Sequence, residues 1–409
     1  MTRSRIWSYE NGLVLMMSLT NGVVTLDRLA INFLSPYIVG EFHINNTQLG
    51  LLASALSVAI AASGYLLASL ADATRRRKQI LVTMLVLFSV CSAFSGLAGG
   101  FASLLIARSV LGLAEGPIAP IAQSVTSIES SERRRGLNMG VALNLGAAVI
   151  GLGLGPILAT RLAEAFGWRS AFFVSCAPGL LLALAIGLFM RPLRKAPPAA
   201  GATPHKVGLG GLLSVLTSRN MLLCVLISGL YSSWLLVQSI FLPLYLVRID
   251  GLKPTEMGLV VAVTGIATAV AGMAVPALSD RIGRRPALAL VTTFGALAPL
   301  ATLFVHGPEP LLATALMIGY LGGGAGPLYV GIVPTESVPA RHVATAVAVS
   351  LAAGELIGGV AAPAIAGRAA DLFSLAAPFW ISAGCALVCG VLSLFLIETA
   401  PGKARTAVA

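Results

Sequence analysis

Long apolar segments follow one another along almost the whole chain, and each is long enough to cross a lipid bilayer. A hydrocarbon core of ~30 Å needs about 20 apolar residues in a helix. Of the 409 residues, 57% are hydrophobic and only 11% are charged, whereas soluble domains carry about 25% charged residues. The pattern predicts twelve spans, at 11–40, 48–71, 79–100, 102–127, 137–165, 170–190, 220–247, 256–279, 286–305, 310–334, 342–370 and 374–397. The sequence therefore predicts an all-α membrane protein.

The connection between the sixth and seventh spans is the longest one. It contains Ala-Pro-Pro-Ala-Ala-Gly at 196–201, a composition typical of linkers. We therefore predict an N-terminal six-helix bundle over 1–190, a linker over 191–218 and a C-terminal six-helix bundle over 219–409.

The basic residues are distributed unequally between the two sides of the predicted membrane. Twenty of the 27 lysines and arginines fall on the side of the N-terminus, five fall on the other side, and Arg28 and Arg108 lie inside spans. Loops rich in Lys and Arg stay in the cytoplasm, so both termini and the linker are expected there. This distribution also explains the net charge of +11 without a nucleic acid partner.

The two halves repeat each other at an offset of about 207 residues. Pro36 corresponds to Pro243, and Pro156 corresponds to Pro363. Asp72 corresponds to Asp280 at an offset of 208, and the pair Glu129-Ser130 recurs at 336–337. Parallel repeats of this kind are found in secondary transporters, which bind their substrate near the membrane midplane where the repeats meet.

Four charged residues inside the spans break the repeat. They are Asp27 and Arg28 in span 1, and Arg108 and Glu115 in span 4. The offset maps them to Trp234, Leu235, Ala315 and Gly322. A charge at the bilayer centre costs about 2.5–3.5 kcal/mol and is tolerated when it is paired or lines a cavity. We interpret the four as a functional site, although a salt-bridge cluster that only ties spans 1 and 4 together is the structural alternative.

The loop between spans 8 and 9 carries Asp280, Gly283, Arg284 and Arg285. This loop resembles the signature of the major facilitator superfamily. A degenerate copy between spans 2 and 3 retains Asp72, Arg76 and Arg77. The resemblance covers essentially the whole chain and implies two six-helix bundles that alternate access to a central site. It also implies that these six charged residues form a latch on the cytoplasmic side.

Two further segments resemble the anion:cation symporter branch of that superfamily. They are Leu26-Asp27-Arg28 followed by Asn32, and 108–116, which reads Arg-Ser-Val-Leu-Gly-Leu-Ala-Glu-Gly. The resemblance implies proton sites at Asp27 and Glu115. It also implies that Arg28 and Arg108, with Asn32, organise an anionic substrate or its gate. A carboxyl group can exchange protons because burial favours its neutral form and an approaching arginine favours its charged form.

The implied function is proton-coupled symport of a small organic anion across the plasma membrane, the inner membrane if the source is bacterial. It requires no cofactor beyond the proton gradient and is compatible with a monomer. Spinster-like lipid exporters share the charged pairs, so they and proton-coupled drug antiporters remain alternatives.

Candidate pocket residues in the C-terminal half are uncharged. Span 7 has Tyr231 and Gln238, without the cation with which some symporters of this branch hold a carboxylate, and span 10 has Tyr329. Glu355 in span 11 is either a third titrating group or a polar pocket wall.

A membrane enzyme is the alternative from another class, and the sequence argues against it. The four histidines, at 43, 205, 306 and 342, are scattered in or beside loops, and the five cysteines show no metal-ligand spacing. Neither a hydrolase nor a metalloprotease motif is present. We therefore expect neither an enzyme nor a metal site.

The topology is directly testable. A cysteine placed in the linker between Pro197 and Gly201 should resist membrane-impermeant thiol reagents in intact cells, because the basic residues retain this segment in the cytoplasm. Ready labelling there would contradict the orientation.

Overall fold

The computed structural model describes residues 8–74, 76–132, 134–191, 216–339 and 342–400, and every regular element within them is a helix. Eleven of these helices are long and apolar enough to cross a membrane, and a shorter apolar helix of 17 residues follows them. They are α1 Tyr9–Phe33, α2 Asn46–Thr74, α3 Arg77–Gly96, α4 Phe101–Glu129, α5 Arg135–Phe166, α6 Trp168–Phe189, α7 Arg219–Arg248, α8 Pro254–Ile282, α9 Arg284–Phe304, α10 Glu309–Glu336, α11 Thr345–Leu372 and α12 Ala377–Ser393. The prediction of an all-α protein with about a dozen spans is confirmed. Most of the predicted linker, 192–215, lies outside the described residues.

Several helices expose large apolar side chains, and some charged side chains are buried, unlike in a water-soluble protein. Leu181, Leu188 and Phe189 on α6 expose 66–69% of their surface. Asp27 and Arg108, by contrast, are completely buried. Apolar surface of this kind is unfavourable in water and favourable against lipid tails, and helices satisfy their own backbone hydrogen bonds there.

The chain forms two compact units. Unit 1 comprises residues 1–43 and 55–201, and unit 2 comprises residues 44–54 and 202–409. The first turns of α2 thus belong to unit 2 and the rest of α2 belongs to unit 1.

In unit 1, α1 packs along α5 and α3 packs along α6. Leu13 and Met17 of α1 join Leu85 and Phe88 of α3 and Leu111 of α4 in one buried apolar core. This core fixes the faces of α1, α3 and α4 that carry the polar side chains described below.

In unit 2, α7 packs along α11 and α12, and α9 packs along α12. The pairs α7–α11 and α9–α12 correspond to the pairs α1–α5 and α3–α6, as the internal repeat predicts.

The start of α2 is capped by a residue of α11. Asp371 accepts hydrogen bonds from the backbone N–H groups of Asn46 (2.9 Å) and Thr47 (2.8 Å) and from both of their side chains. A carboxylate at a helix N-terminus satisfies backbone donors that lack a partner within the helix. This cap explains why residues 44–54 group with unit 2.

Two of the long helices are interrupted beside the candidate site. After α1 ends at Phe33, the chain continues as a short helix, Ser35–Phe42, with Pro36 in its first turn. Helix α4 is interrupted after Glu115, at Gly116 and Pro117. Proline has no N–H group to donate to the preceding turn, so it interrupts helices in this way.

Helices α1 and α5 approach closely because glycines lie where they cross. A methyl group added to Gly22 would lie 2.7 Å from the carbonyl oxygen of Gly146 and 2.9 Å from Cδ1 of Ile150. Small residues at such crossings allow backbones in membranes to pack closely.

Gly22→Ala should therefore destabilise unit 1, by about 1–3 kcal/mol, the usual cost of overpacking. The matched control is Gly12→Ala on the same helix, where an added methyl group meets no atom within 4 Å. We expect Gly22→Ala to lower the melting temperature of the detergent-solubilised protein, while Gly12→Ala leaves it equal or higher because alanine favours helix. Equal melting temperatures for the two variants would contradict the close approach.

Candidate functional site

Asp27 lies on α1 in unit 1 and is completely buried. Its Oδ1 atom accepts a hydrogen bond from the hydroxyl group of Ser92 on α3. Its Oδ2 atom accepts none from the described residues. The carboxylate thus has half of its accepting capacity unused inside the helix bundle.

Arg108 on α4 is the fully buried cation of the same region. Its Nη1 atom donates to the backbone carbonyl oxygen of Asp27 at 3.2 Å, and its guanidinium group lies 4.9 Å from the centre of the Phe172 ring. Among the described residues, its Nε and Nη2 atoms have no acceptor. Nε carries one N–H group and Nη2 carries two, so three N–H donors of this guanidinium group could still bind an anion or water.

Arg28 and Glu115 form the second charged pair. Arg28 Nη1 lies 3.6 Å from Glu115 Oε1, and the side chains are 27% and 5% exposed, respectively. The separation exceeds hydrogen-bond distance, so this is an ion pair rather than a tight bidentate contact. Asn32, one turn after Arg28 on α1, is also buried.

The structure therefore brings Asp27, Arg28, Arg108 and Glu115 together in unit 1, where the sequence predicts a site. The pairing links α1 with α4 in both cases. Arg108 and Glu115 lie seven residues apart on α4, which places them on one face of that helix. Each of them contacts a residue of α1.

Unit 2 contains an aromatic cluster that includes Trp234, the repeat counterpart of Asp27. It consists of Tyr231, Trp234, Tyr320 and Tyr329. Tyr231 stacks on Trp234 with ring centres 4.7 Å apart and meets the edge of Tyr329 at 5.9 Å. Trp234, the counterpart of Asp27, donates through Nε1 to the Gly295 carbonyl oxygen at 2.8 Å.

Two polar groups of α7 in unit 2 are buried without a hydrogen bond among the described residues. They are the hydroxyl group of Tyr231 and the side-chain amide of Gln238, on both its oxygen and its nitrogen. Buried polar atoms are rarely left unsatisfied. Of the predicted pocket residues, Tyr231 and Tyr329 are in contact, and Gln238 lies two turns along α7. Glu355 is partly buried in a π-helical stretch of α11, Gly354–Ala361.

The loop between α8 and α9 contains a cluster of ion pairs centred on Arg284. Arg284 Nη1 lies 2.5 Å from Asp280 Oδ1, and Nη2 lies 3.0 Å from Glu336 Oε1. Arg284 Nη1 also donates to Ser279 at 2.6 Å. These contacts all lie within unit 2, and the side chain of Arg285 is exposed.

Glu398, after the end of α12, completes this cluster. Burial alone raises the pKa of Glu398, but the backbone N–H groups of Ala400, Arg284, Arg285 and Thr399 donate to its carboxylate and hold its pKa below the ordinary glutamate value. The carboxylate thereby caps the N-terminus of α9, where a negative charge is favourable.

The first copy of this loop is described less completely. Arg76 is exposed and Arg77 is partly buried, while Arg75 and the side chain of Asp72 lie outside the described residues. The latch that these residues are expected to form stays a prediction.

Comparison with known proteins identifies the family. The model of the Major Facilitator Superfamily matches residues 17–350 and 237–408, which together span most of the chain. The chain belongs to the major facilitator superfamily. The resemblance inferred from the loop motif is confirmed, and the chain is a membrane transporter rather than an enzyme.

Individual superfamily members agree with this assignment. The chain is similar to the hexuronate transporter of Bacillus subtilis (strain 168), with 26% identity over 314 residues, 76% of this chain and 72% of the relative. It is similar to the cis,cis-muconate transport protein of Acinetobacter baylyi, with 25% identity over 414 residues, 97% of this chain and 96% of the relative. A solved bacterial homologue of the human lysosomal transporter spinster has a TM-score of 0.73, with 21% identity and 95% coverage of both chains; this likeness supports the fold.

Three contributors to these clusters are missing from the sequence prediction. Ser92 gives no sequence signal, since serine is common in the spans. Glu336 is visible only as a landmark of the repeat, and Glu398 only as an acidic residue after the last span. Each makes at least one contact with a residue more than 50 positions away.

Arg284→Ala should destabilise unit 2, because it removes hydrogen bonds to Ser279, Asp280 and Glu336. The expected loss is on the order of 2 kcal/mol, as for hydrogen bonds to charged groups. The matched control is Arg285→Ala, which keeps the backbone N–H that donates to Glu398. We expect thermal unfolding to show a lower melting temperature for Arg284→Ala alone. An equal decrease in melting temperature for Arg284→Ala and Arg285→Ala would contradict a stabilising role of the Arg284 side-chain contacts.

Proposed function

We propose that this transporter carries a small organic anion together with protons, by alternating access. The observation that carries the proposal is the charge cluster of unit 1. It contains two carboxylates and two guanidinium groups, and Asp27 and Arg108 within it have hydrogen-bonding capacity that no described residue uses. Purely structural packing would achieve the same stability with apolar side chains at a lower desolvation cost.

Asp27 and Glu115 are the proposed proton carriers. Each lies near a guanidinium group that favours its charged form, and each is buried, which favours its neutral form. A change of a few ångströms in the distance to Arg108 or Arg28 would therefore change the proton affinity. A conformational cycle that makes such changes couples proton uptake on one side to release on the other.

Arg28 and Arg108 are the proposed anion-binding groups. The Arg28 side chain retains 27% exposure, and the Nε and Nη2 atoms of Arg108 have no acceptor among the described residues. Guanidinium groups bind carboxylates through paired, charge-assisted hydrogen bonds. Tyr231, Gln238 and Tyr329 in unit 2 are also proposed as substrate-binding or gating residues. The same role is proposed for Asn32 and Glu355.

The names of relatives support an organic acid as the substrate class. The relatives described above include hexuronate and cis,cis-muconate transporters, and a 3-(3-hydroxy-phenyl)propionate transporter of Escherichia coli (strain K12) is 27% identical over 366 residues. All three compounds are small carboxylates. We further propose that the protein acts as a monomer in the plasma membrane, with both termini in the cytoplasm.

The Arg284 cluster and its degenerate first copy are proposed to stabilise the state closed to the cytoplasm. This assigns Asp72, Arg76, Arg77, Asp280 and Arg285 to the same latch as Arg284. The contacts of Arg284 with Asp280 and Glu336 support a role in fixing the geometry of the loop.

The decisive test compares proton-driven uptake with exchange in proteoliposomes. Hexuronate, cis,cis-muconate and 3-(3-hydroxyphenyl)propionate form the first panel. Glu115→Gln mimics the protonated carboxyl group, so it should abolish accumulation driven by a pH gradient and preserve substrate exchange, which moves no net proton. Arg28→Ala should also weaken anion binding, by about 1.5–3 kcal/mol.

The matched control is Glu132→Gln, an exposed carboxylate outside the spans, which should leave both activities intact. Undiminished accumulation by both Glu115→Gln and Asp27→Asn would refute the proton sites. Transport of a lysolipid and of none of the anions would favour the lipid-exporter alternative.

A further inference from the structure

Helix α3 carries three completely buried serines on successive turns: Ser89, Ser92 and Ser95. Ser89 donates to the Leu85 carbonyl oxygen at 2.8 Å, and Ser95 donates to the Cys91 carbonyl oxygen at 3.3 Å. Bonds of this type, to the carbonyl four residues earlier, are the usual pattern for serine inside a helix. Ser92 departs from this pattern, because its hydroxyl group donates across to Asp27 on α1.

The Ser92 hydroxyl group has two acceptors within reach. One is Asp27 Oδ1, and the other is the backbone carbonyl oxygen of Phe172 on α6, at 3.4 Å. A hydroxyl group has a single proton to donate, so it serves one acceptor well at a time. An ionised carboxylate is the stronger acceptor, whereas a neutral carboxyl group competes less well with a backbone carbonyl.

The other ionisable groups that act on Asp27 lie on α3, α4 and α6. Arg108 lies on α4, Cys91 lies on α3, and Cys176 lies on α6. Arg28 follows Asp27 on α1, and Glu115 acts on the site through Arg108. Among the described residues, Ser92 is the group that donates a hydrogen bond to the Asp27 carboxylate.

The free Oδ2 atom gives an arriving proton a place to bind. A proton that binds there need not break the hydrogen bond from Ser92 to Oδ1. After it binds, the Ser92 hydroxyl group can turn to the Phe172 carbonyl oxygen, so it remains hydrogen-bonded in both charge states. The arrangement couples the orientation of one buried hydroxyl group to the charge of one buried carboxyl group.

We propose that Ser92 is the positioning residue that sets the proton affinity of Asp27, by stabilising its ionised form. The proposal rests on the proposed role of Asp27 in proton coupling and adds to it a residue of α3 that carries no charge. It also assigns to the α1–α3 contact a function in setting the working pH of the transporter.

The direct test is a pH titration of the Asp27 carboxyl group by infrared spectroscopy of the purified, lipid-reconstituted protein. The C=O band that is absent in Asp27→Asn identifies this group. Ser92→Ala should move the midpoint of the band to higher pH by about one unit, because the ionised form loses its donor. Ser92→Thr retains the hydroxyl group and should restore the midpoint toward that of the wild type.

Ser89→Ala is the matched control, since it removes an equally buried hydroxyl group that bonds within its own helix. It should leave the midpoint unchanged. An unchanged midpoint in Ser92→Ala, or equal shifts in Ser92→Ala and Ser89→Ala, would overturn the proposal.

Uptake measurements on the same variants separate this inference from the proposed function. If both hold, the pH profile of anion uptake moves with the infrared midpoint. A shifted band together with uptake that ignores the pH gradient would refute proton-coupled transport and leave the role of Ser92 intact. A titrating Asp27 band that Ser92→Ala leaves in place would refute the role of Ser92 alone.

Discussion

The site in unit 1 depends on the contacts that Asp27 makes with Ser92 on α3 and with Arg108 on α4. A carboxylate and a guanidinium group are both completely buried there, and both are expensive to desolvate. The backbone carbonyl of Asp27, and not its carboxylate, receives the hydrogen bond from Arg108. As a result, the carboxylate is held near a positive charge without a tight ion pair, an arrangement in which a proton can compete for the oxygen atoms.

The rest of unit 1 supports this contact. The glycines where α1 crosses α5 bring the two backbones close together, and the apolar core formed by α1, α3 and α4 orients the polar faces of these helices. The interruption of α4 after Glu115 then ends the helical segment where the second carboxylate meets Arg28. Packing, rather than the ion pairs themselves, determines which charges meet.

The two repeats use one helix arrangement for different chemistry. At the positions of Asp27 and Glu115, unit 2 has Trp234 and Gly322, and an aromatic cluster packs in that region. Stacked aromatic rings need no compensating charge. The indole N–H of Trp234 donates to the backbone carbonyl oxygen of Gly295. The two repeats thus differ in chemistry: unit 1 buries ionisable groups at these positions, and unit 2 has uncharged residues there.

The class of the fold, the approximate spans and the charged residues inside them could all be predicted from the amino-acid sequence. Hydropathy suffices for this, because a bilayer accepts only helices of a given length and makes any charge within them conspicuous. Which of these groups meet depends on the packing of the helices and could not be predicted. Arg28 pairs with Glu115, Arg108 donates to the Asp27 backbone, and Arg284 joins Glu336 and Glu398 from distant parts of the chain. Ser92 illustrates the reason. Its neighbours Ser89 and Ser95 have the same residue type, helix and burial, yet only Ser92 lies opposite Asp27, and the rotation of α3 against α1 is set by packing that no local pattern encodes.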